Sequence, residues 1–312
     1  MPSLNPMDFG GIKIESPLFL APIAGYTDSP FRRVARAHGA GLVVTELVSA
    51  VGLVRRGKKT LELLRFDDSE RPLGIQLFGN DPAVMGDAAA SAGRYGPEFI
   101  DINLGCPARK VCNTGSGAAL LRTPELVYAI VRSVRAGTSL PVTAKIRLGW
   151  DSGSMNYAET VAAVREGGAS AIFVHGRTRE QKYGGMADWN AIAEINAMAG
   201  IPVAGNGDIR SFGEAHARMK ESGCAAVMIG RGALGNPWIF SGKEPSIGEI
   251  ISQISGHCEL MEQFYGSYGV VLMRKHLTAY IHGMKNASHV RSRLVHAVSR
   301  SEVMSVLAEL HE

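Results

Sequence analysis

Cysteine is scarce. Four residues in 312 (Cys106, Cys112, Cys224 and Cys258) carry a thiol, with no CxxC pair and no histidine-rich spacing around them. That argues against a disulfide framework and against a structural zinc or iron–sulfur metal site, and makes a reducing, cytoplasmic setting the expectation. No apolar run is long enough to cross a bilayer, so no membrane partner is expected. The Met1-Pro-Ser-Leu4 start lacks the charged segment and apolar core of a secretion signal. An excess of one charge is lacking too. With 33 Lys and Arg against 29 Asp and Glu, the formal charge of +4 is too mild to announce a polyanion partner by itself. What remains is an ordinary globular composition, 46% hydrophobic and 20% charged, at a length that suits one large domain with an appendix.

From residue 18 to about 232 one unit recurs: an apolar, β-branched run, a turn, then a helical stretch. Strands are expected over 18–24, 42–46, 73–78, 99–104, 142–148, 171–175, 203–205 and 226–230. Most are nearly continuous in apolar residues, as parallel strands buried on both faces should be. Helical segments between them, such as 29–38, 82–95, 124–136, 157–167 and 212–222, often open at Pro or an N-cap type residue and close at Gly. Eight strands alternating with helices predict an α/β fold, a (β/α)8 TIM barrel, in preference to an open doubly wound sheet.

Ser241-Gly-Lys-Glu-Pro-Ser-Ile-Gly248 then separates off a tail without strand signals, whose apolar residues recur at helical spacing. The expected organisation is a catalytic barrel over 1–241 and a small C-terminal all-helical bundle over 242–312. After Lys243 every cation falls between Arg274 and Arg300: Arg274, Lys275, Lys285, Arg291, Arg293 and Arg300, with no Asp or Glu in the interval. Such a cluster is either a solvated helix face or a phosphate-backbone contact surface, and the absence of acids favours the second.

In a parallel barrel, function sits where the strands end. The first strand ends in Ala21-Pro22-Ile23-Ala24-Gly25, where small residues would let a flat ligand approach the backbone. Glu46, Gln76, Asn103 with Cys106, Lys145 with Arg147, His175 with Arg177, Asn206 with Asp208, and Gly230 with Arg231 stand at the others. A purely structural barrel would not need a polar group at nearly every exit. Gly205-Asn-Gly-Asp208 and Gly230-Arg-Gly232 follow strands seven and eight, where this fold commonly builds a phosphate site. The match of 230–235 to GxGxxG is discounted, because the chain soon turns all-helical. Lys145, in an apolar strand, calls for a carboxylate or a ligand that develops negative charge, and Gln76 could read a ring edge. Cys106 can be an inert buried thiol, a nucleophile with a histidine base, or a general acid, and spacing does not separate the last two.

Several segments resemble those of one family. They are Ala21-Pro-Ile-Ala-Gly-Tyr-Thr-Asp28 with Phe31-Arg32, Gln76-Leu-Phe-Gly79, Asn103-Leu-Gly-Cys-Pro107, Gly117-Ala-Ala-Leu-Leu121 and Lys145-Ile-Arg147. The long run from His175 to Trp189, Asn206-Gly-Asp-Ile209, the run from Gly230 to Phe240, and Arg274-Lys-His276 with Tyr280 complete the set. Over nearly its whole length the chain resembles the bacterial tRNA-dihydrouridine synthases. The resemblance implies an FMN enzyme that uses NADPH (or NADH) to reduce uridines in tRNA to 5,6-dihydrouridine. Pro22, Ile23, Ala24, Gln76, Lys145, His175, Asn206, Gly207, Asp208, Gly230 and Arg231 would then contact the flavin, and Cys106 would protonate C5 after hydride reaches C6. Asn103 and Arg177 would position the base, and Arg274 and Lys275 would grip the tRNA. The loop Arg55-Arg-Gly-Lys-Lys59, with Arg109 and Lys110, would add backbone contacts. One departure is His282, where a second basic residue is expected after Tyr280. A monomer is the expectation for the assembly.

Three rival classes make different demands. A flavin enzyme for a small molecule does not need the basic tail. A non-catalytic RNA-binding protein does not need Lys145 and Cys106 at the barrel mouth. A cysteine acyltransferase would be colourless.

Overall fold

The structure is a computed structural model that describes residues 7–284 and 287–311. Lys285, one of the tail cations, and the first residues of the chain lie outside the described set. The barrel strands are β1 (Leu18–Leu20), β2 (Val43–Val44), β3 (Leu73–Phe78), β4 (Phe99–Asn103), β5 (Val142–Arg147), β6 (Ala171–His175), β7 (Val203–Asn206) and β8 (Ala226–Ile229). All neighbouring pairs are parallel, in the order β1-β8-β7-β6-β5-β4-β3-β2. The ring closes where Leu20 N–H donates to Leu42 O (2.9 Å) and Gly41 N–H to Leu18 O (2.8 Å). A short extra strand, Val48–Ser49, pairs with the end of β3.

Side chains alternate across the strands, so each one reads as two lists. Leu18, Leu20, Ile100, Ile102, Ala144, Ile146, Ile172 and Val174 belong to the core between barrel and outer helices. Phe19, Phe99, Ala171, Phe173, Ala204 and Met228 form a separate cluster inside the barrel. Space there is tight: a side chain at Gly74 would sit 2.2 Å from the Phe99 ring. A hairpin of Met7–Phe9 and Ile12–Ile14, which strand periodicity did not reveal, plugs this interior from below. Phe9 stacks on Phe173 at 5.9 Å and meets Phe19 edge-on at 5.1 Å.

The outer helices lie close to their expected places, for example Ser29–Ala37, Pro82–Gly93, Pro124–Gly137, Tyr157–Glu166 and Phe212–Ser222. A further helix, Trp189–Ala199, starts at Asp188, whose side chain accepts the Ala191 N–H. The tail is helical: Ile247–Tyr265, Gly269–Tyr280, Ala287–Leu294 and Arg300–Leu307 share a core of their own. The seam falls within Pro237–Phe240. Trp238 packs into the bundle core, while Ile239 and Phe240 pack into the barrel core.

At that seam Asp28, His257 and His276 are buried with potential ligand atoms within 4.8 Å of one another. Lys275 Nζ lies 3.7 Å from Asp28 Oδ2, so the carboxylate already faces a cation. Among the described residues no helix is long and apolar enough to cross a membrane.

Candidate active site

The upper inward positions of the strands are polar: Gln76 on β3, Asp101 and Asn103 on β4, Thr143, Lys145 and Arg147 on β5, His175 on β6, and Asn206 on β7. Register places Gln76 opposite Asp101, Asn103 opposite Lys145, and His175 between Arg147 and Asn206. Above this floor opens a cavity of about 1080 Å³. That is slightly above the roughly 300–1,000 Å³ usual for ligand sites. Its lining includes all eleven expected flavin contacts, together with Asn103 and Cys106.

Lys145 is half-buried at the cavity floor, and desolvation lowers the pKa of its ammonium to about 8. Its bonded partner is an amide rather than a carboxylate: Nζ donates to Asn206 Oδ1 at 3.0 Å. Asn206 is oriented for this because its Nδ2 donates to Met228 O at 2.6 Å. His175 is held neutral. Burial first, and then the charges of Arg147, Lys145, Arg177 and Arg231, push its pKa well below the usual value. A guanidinium can only donate, so Arg177 Nη1, 3.3 Å away, makes His175 Nε2 the acceptor and leaves the proton on Nδ1.

Cys106 sits just past β4 and lines the cavity. Its N–H donates to Asn103 Oδ1 at 2.9 Å, and its carbonyl accepts from Ala118 N–H (3.1 Å) and Cys112 Sγ (3.3 Å). Behind it, Gly117 at φ +62 leaves no room for a side chain, which would lie 3.0 Å from Cys106 O. Burial raises the thiol pKa, against smaller opposing effects from the Ala108 N–H, Arg147 and Lys145. A thiol so placed keeps its proton at neutral pH, which suits an acid better than a nucleophile.

Arg147 ties two loops together. Its Nε donates to Gly105 O (2.8 Å), next to Cys106, and its Nη1 donates to Thr178 O and Lys182 O, both at 2.8 Å. Tyr183 lies under two guanidiniums, Arg147 at 5.6 Å and Arg231 at 4.9 Å from the ring centre. Burial disfavours charge on Asp208, but hydrogen bonds from Arg177 and the Ala187 N–H hold its carboxyl below the usual range. Arg231 adds an ion pair at 3.2 Å.

Three expected site residues are not brought to the cavity. Arg177 is 1% exposed and spends its guanidinium on Gly184 O, Gly185 O and Asp208, so it braces the cavity wall. Arg274 donates to Ala297 O (2.9 Å) and His296 O (3.0 Å) within the bundle. Lys275 crosses the seam to Gly25 O and faces Asp28. The tail interval, free of acids in sequence, is not free of them in space: Arg293 pairs with Glu309, and Arg300 with Glu259 at 3.2 Å. His282 instead lines the cavity. Arg55, Arg56, Lys58 and Lys59 are exposed beyond the cavity lining, and Arg109 and Lys110 are exposed near its mouth.

Sequence reasoning assigned no role to Arg147, Asp101 or Tyr183. The first two carried a usable signal: each lies two residues from an assigned residue on the same strand, hence on the same inward face.

Comparison with known proteins agrees with this geometry. The model of the family "Dihydrouridine synthase (Dus)" matches residues 19–311. A "Probable tRNA-dihydrouridine synthase" of Rhodobacter capsulatus is 38% identical, over 95% of each chain. A "tRNA-dihydrouridine synthase B" of Xanthomonas axonopodis pv. citri is 40% identical, over 88% of this chain and 86% of that one. Among solved structures, histamine dehydrogenase from Rhizobium sp. 4-9 superposes with a TM-score of 0.57 at 15% identity, over 83% of this chain and 51% of that longer one. At that identity the likeness speaks to the barrel fold alone. Matched over nearly its whole length by the family and its curated members, the chain belongs to the dihydrouridine synthases, enzymes that reduce uridine in tRNA to dihydrouridine.

Proposed function

We propose that this chain reduces the C5=C6 bond of tRNA uridines with FMN held in the barrel mouth, NADPH (or NADH) as reductant and Cys106 as proton donor. The observation that carries the reading is that Lys145 and the protonated Cys106 line one cavity, with Asn103 opposite Lys145 in the register and bonded to the Cys106 N–H.

The residues present fit a flavin. The cavity is large enough for a flat ring system and a base together, and the segment from Ala21 to Ala24 forms one wall. Lys145 keeps donors free beyond its bond to Asn206 and can hold negative charge at the polar edge of a ring. Gly207, Asp208, Gly230 and Arg231, at the ends of β7 and β8, stand where this fold holds a phosphate. When bound, FMN supplies the hydride, taken from NADPH and delivered to C6 of the uracil.

Every other part belongs to the chain. Cys106 gives its Sγ proton to C5, so that hydride and proton together saturate the double bond, and the nearby charges of Arg147 and Lys145 favour the thiolate left behind. Asn103 offers its amide to the base, which must leave its stack to enter. The exposed cations around the mouth, Arg109, Lys110, Lys182 and Arg210, contact the tRNA backbone.

A visible spectrum tests the reading. Flavin absorbance near ~450 nm that NADPH bleaches and unmodified tRNA restores is expected. A colourless protein that FMN cannot reconstitute overturns it.

A further inference from the structure

Asp101 is fully buried inside the barrel and does not line the cavity, yet three hydrogen bonds in series connect it to Cys106. Thr143 Oγ1 donates to Asp101 Oδ1 at 2.6 Å, and Gln76 Nε2 donates to Asp101 Oδ2 at 2.6 Å. Asn103 Nδ2 donates to Gln76 Oε1 at 2.9 Å. Cys106 N–H donates to Asn103 Oδ1 at 2.9 Å, with Gly105 N–H also directed there at 3.4 Å.

We propose that Asp101 is a positioning residue that sets the direction of both cavity amides, making Asn103 an obligate donor to the substrate base and pinning the Cys106 backbone. The inference rests on the reading of the cavity given above.

The direction follows from valence. An ionised carboxylate only accepts, so Gln76 must turn its NH2 toward Asp101 and its carbonyl toward Asn103. Asn103 must then give Gln76 an N–H, and its carbonyl, facing two backbone N–H groups, is filled. What Asn103 has left for the cavity is one N–H. A lone donor there selects a ring position carrying a carbonyl oxygen, as uracil has, over one carrying an amino group, as cytosine has at C4. Burial raises the Asp101 carboxyl only to about 6, which leaves it ionised at neutral pH.

Asp101→Asn tests this, because it keeps the volume and replaces an obligate acceptor with an amide that can invert the chain. Hydrogen exchange by mass spectrometry on the holoenzyme should show faster exchange at residues 104–108, with β6 and β7 as protected as before. Flavin reduction by NADPH should stay within about twofold, while single-turnover uridine reduction falls about 10²-fold, as misplacement of a reacting group does. Asp101→Asn/Gln76→Glu returns an acceptor-only group to the middle of the chain and should restore protection at 104–108, whatever its effect on the flavin. Wild-type exchange in Asp101→Asn, faster exchange spread through the whole barrel, or failure of the double variant to restore protection would each overturn the proposal. The exchange measurement needs no turnover, so its failure is separate from a failure of the flavin reading.

Discussion

Lys275 Nζ lies 3.7 Å from Asp28 Oδ2 and also donates to Gly25 O, so one bundle side chain holds the barrel loop that carries Pro22, Ile23 and Ala24. Glu46 accepts the Gly25 N–H from the other side. The cavity wall is thereby anchored across the seam. Lys275→Met should cost about 1.5–3 kcal/mol, the usual size for a hydrogen bond to a charged group. A lower melting temperature and faster flavin loss on dilution are expected. A variant that keeps both and loses only tRNA affinity would make Lys275 a direct tRNA ligand.

Cys106 should behave as a reluctant thiolate. Its folded pKa is raised, so at pH 7–8 its thiolate fraction is below that of a free cysteine with a pKa near ~8.5. Iodoacetamide alkylation, followed residue by residue by mass spectrometry, should be slow at pH 7 and climb as pH rises beyond the ordinary thiol range. Rapid labelling at pH 7 would mark a nucleophile. In parallel, Cys106→Ala should keep flavin binding and NADPH oxidation and lose about 10²–10⁴ in uridine reduction, the usual worth of a positioned acid.

Lys145 should tune the flavin. An ammonium at the polar edge of the ring stabilises the reduced anion more than the neutral oxidised form. Lys145→Met should therefore lower the bound two-electron potential by about 30–60 mV, with 30 mV equal to about 1.4 kcal/mol. Potentiometric titration of the variant reads this directly, and an unchanged potential would confine Lys145 to orienting Asn206.

Much of this was legible in the residues, for reasons that differ by level. Parallel strands buried on both faces announce themselves as apolar runs, so strands 73–78 and 171–175 fall where periodicity puts them. The first strand is shorter than its apolar run, because beyond Leu20 the chain turns away to build the cavity wall from Ala21 to Ala24. The hairpin of residues 7–14 escaped notice because three-residue strands carry too little period to read. The surroundings of the tail charge were hidden for another reason. Linear spacing shows which acids are near in sequence, whereas Asp28, Glu259 and Glu309 reach Lys275, Arg300 and Arg293 only through the fold. The place of Arg177 was not legible for the same reason: two positions past His175, its guanidinium is spent on Gly184, Gly185 and Asp208 in the cavity wall.

The charge map bears on where the tRNA backbone is expected to run. Arg274 and Lys275 are committed to Ala297, His296, Gly25 and Asp28, so neutralising them should loosen the protein before it loosens the tRNA. Arg109, Lys110, Lys182 and Arg210 are exposed around the opening. Neutralising one cation that sits on a phosphate should lower the slope of log affinity against log salt by about 1 while leaving the melting temperature in place. Paired alanine variants, Arg109/Lys110 and Lys182/Arg210, should thus bind tRNA more weakly with a slope reduced by about 2, with unaltered flavin spectra. Arg274→Ala should show the opposite pattern, a lower melting temperature with a near-native salt slope. If the slopes change in Arg274→Ala and not at the mouth, the tRNA backbone runs over the bundle face and only the target base reaches the barrel.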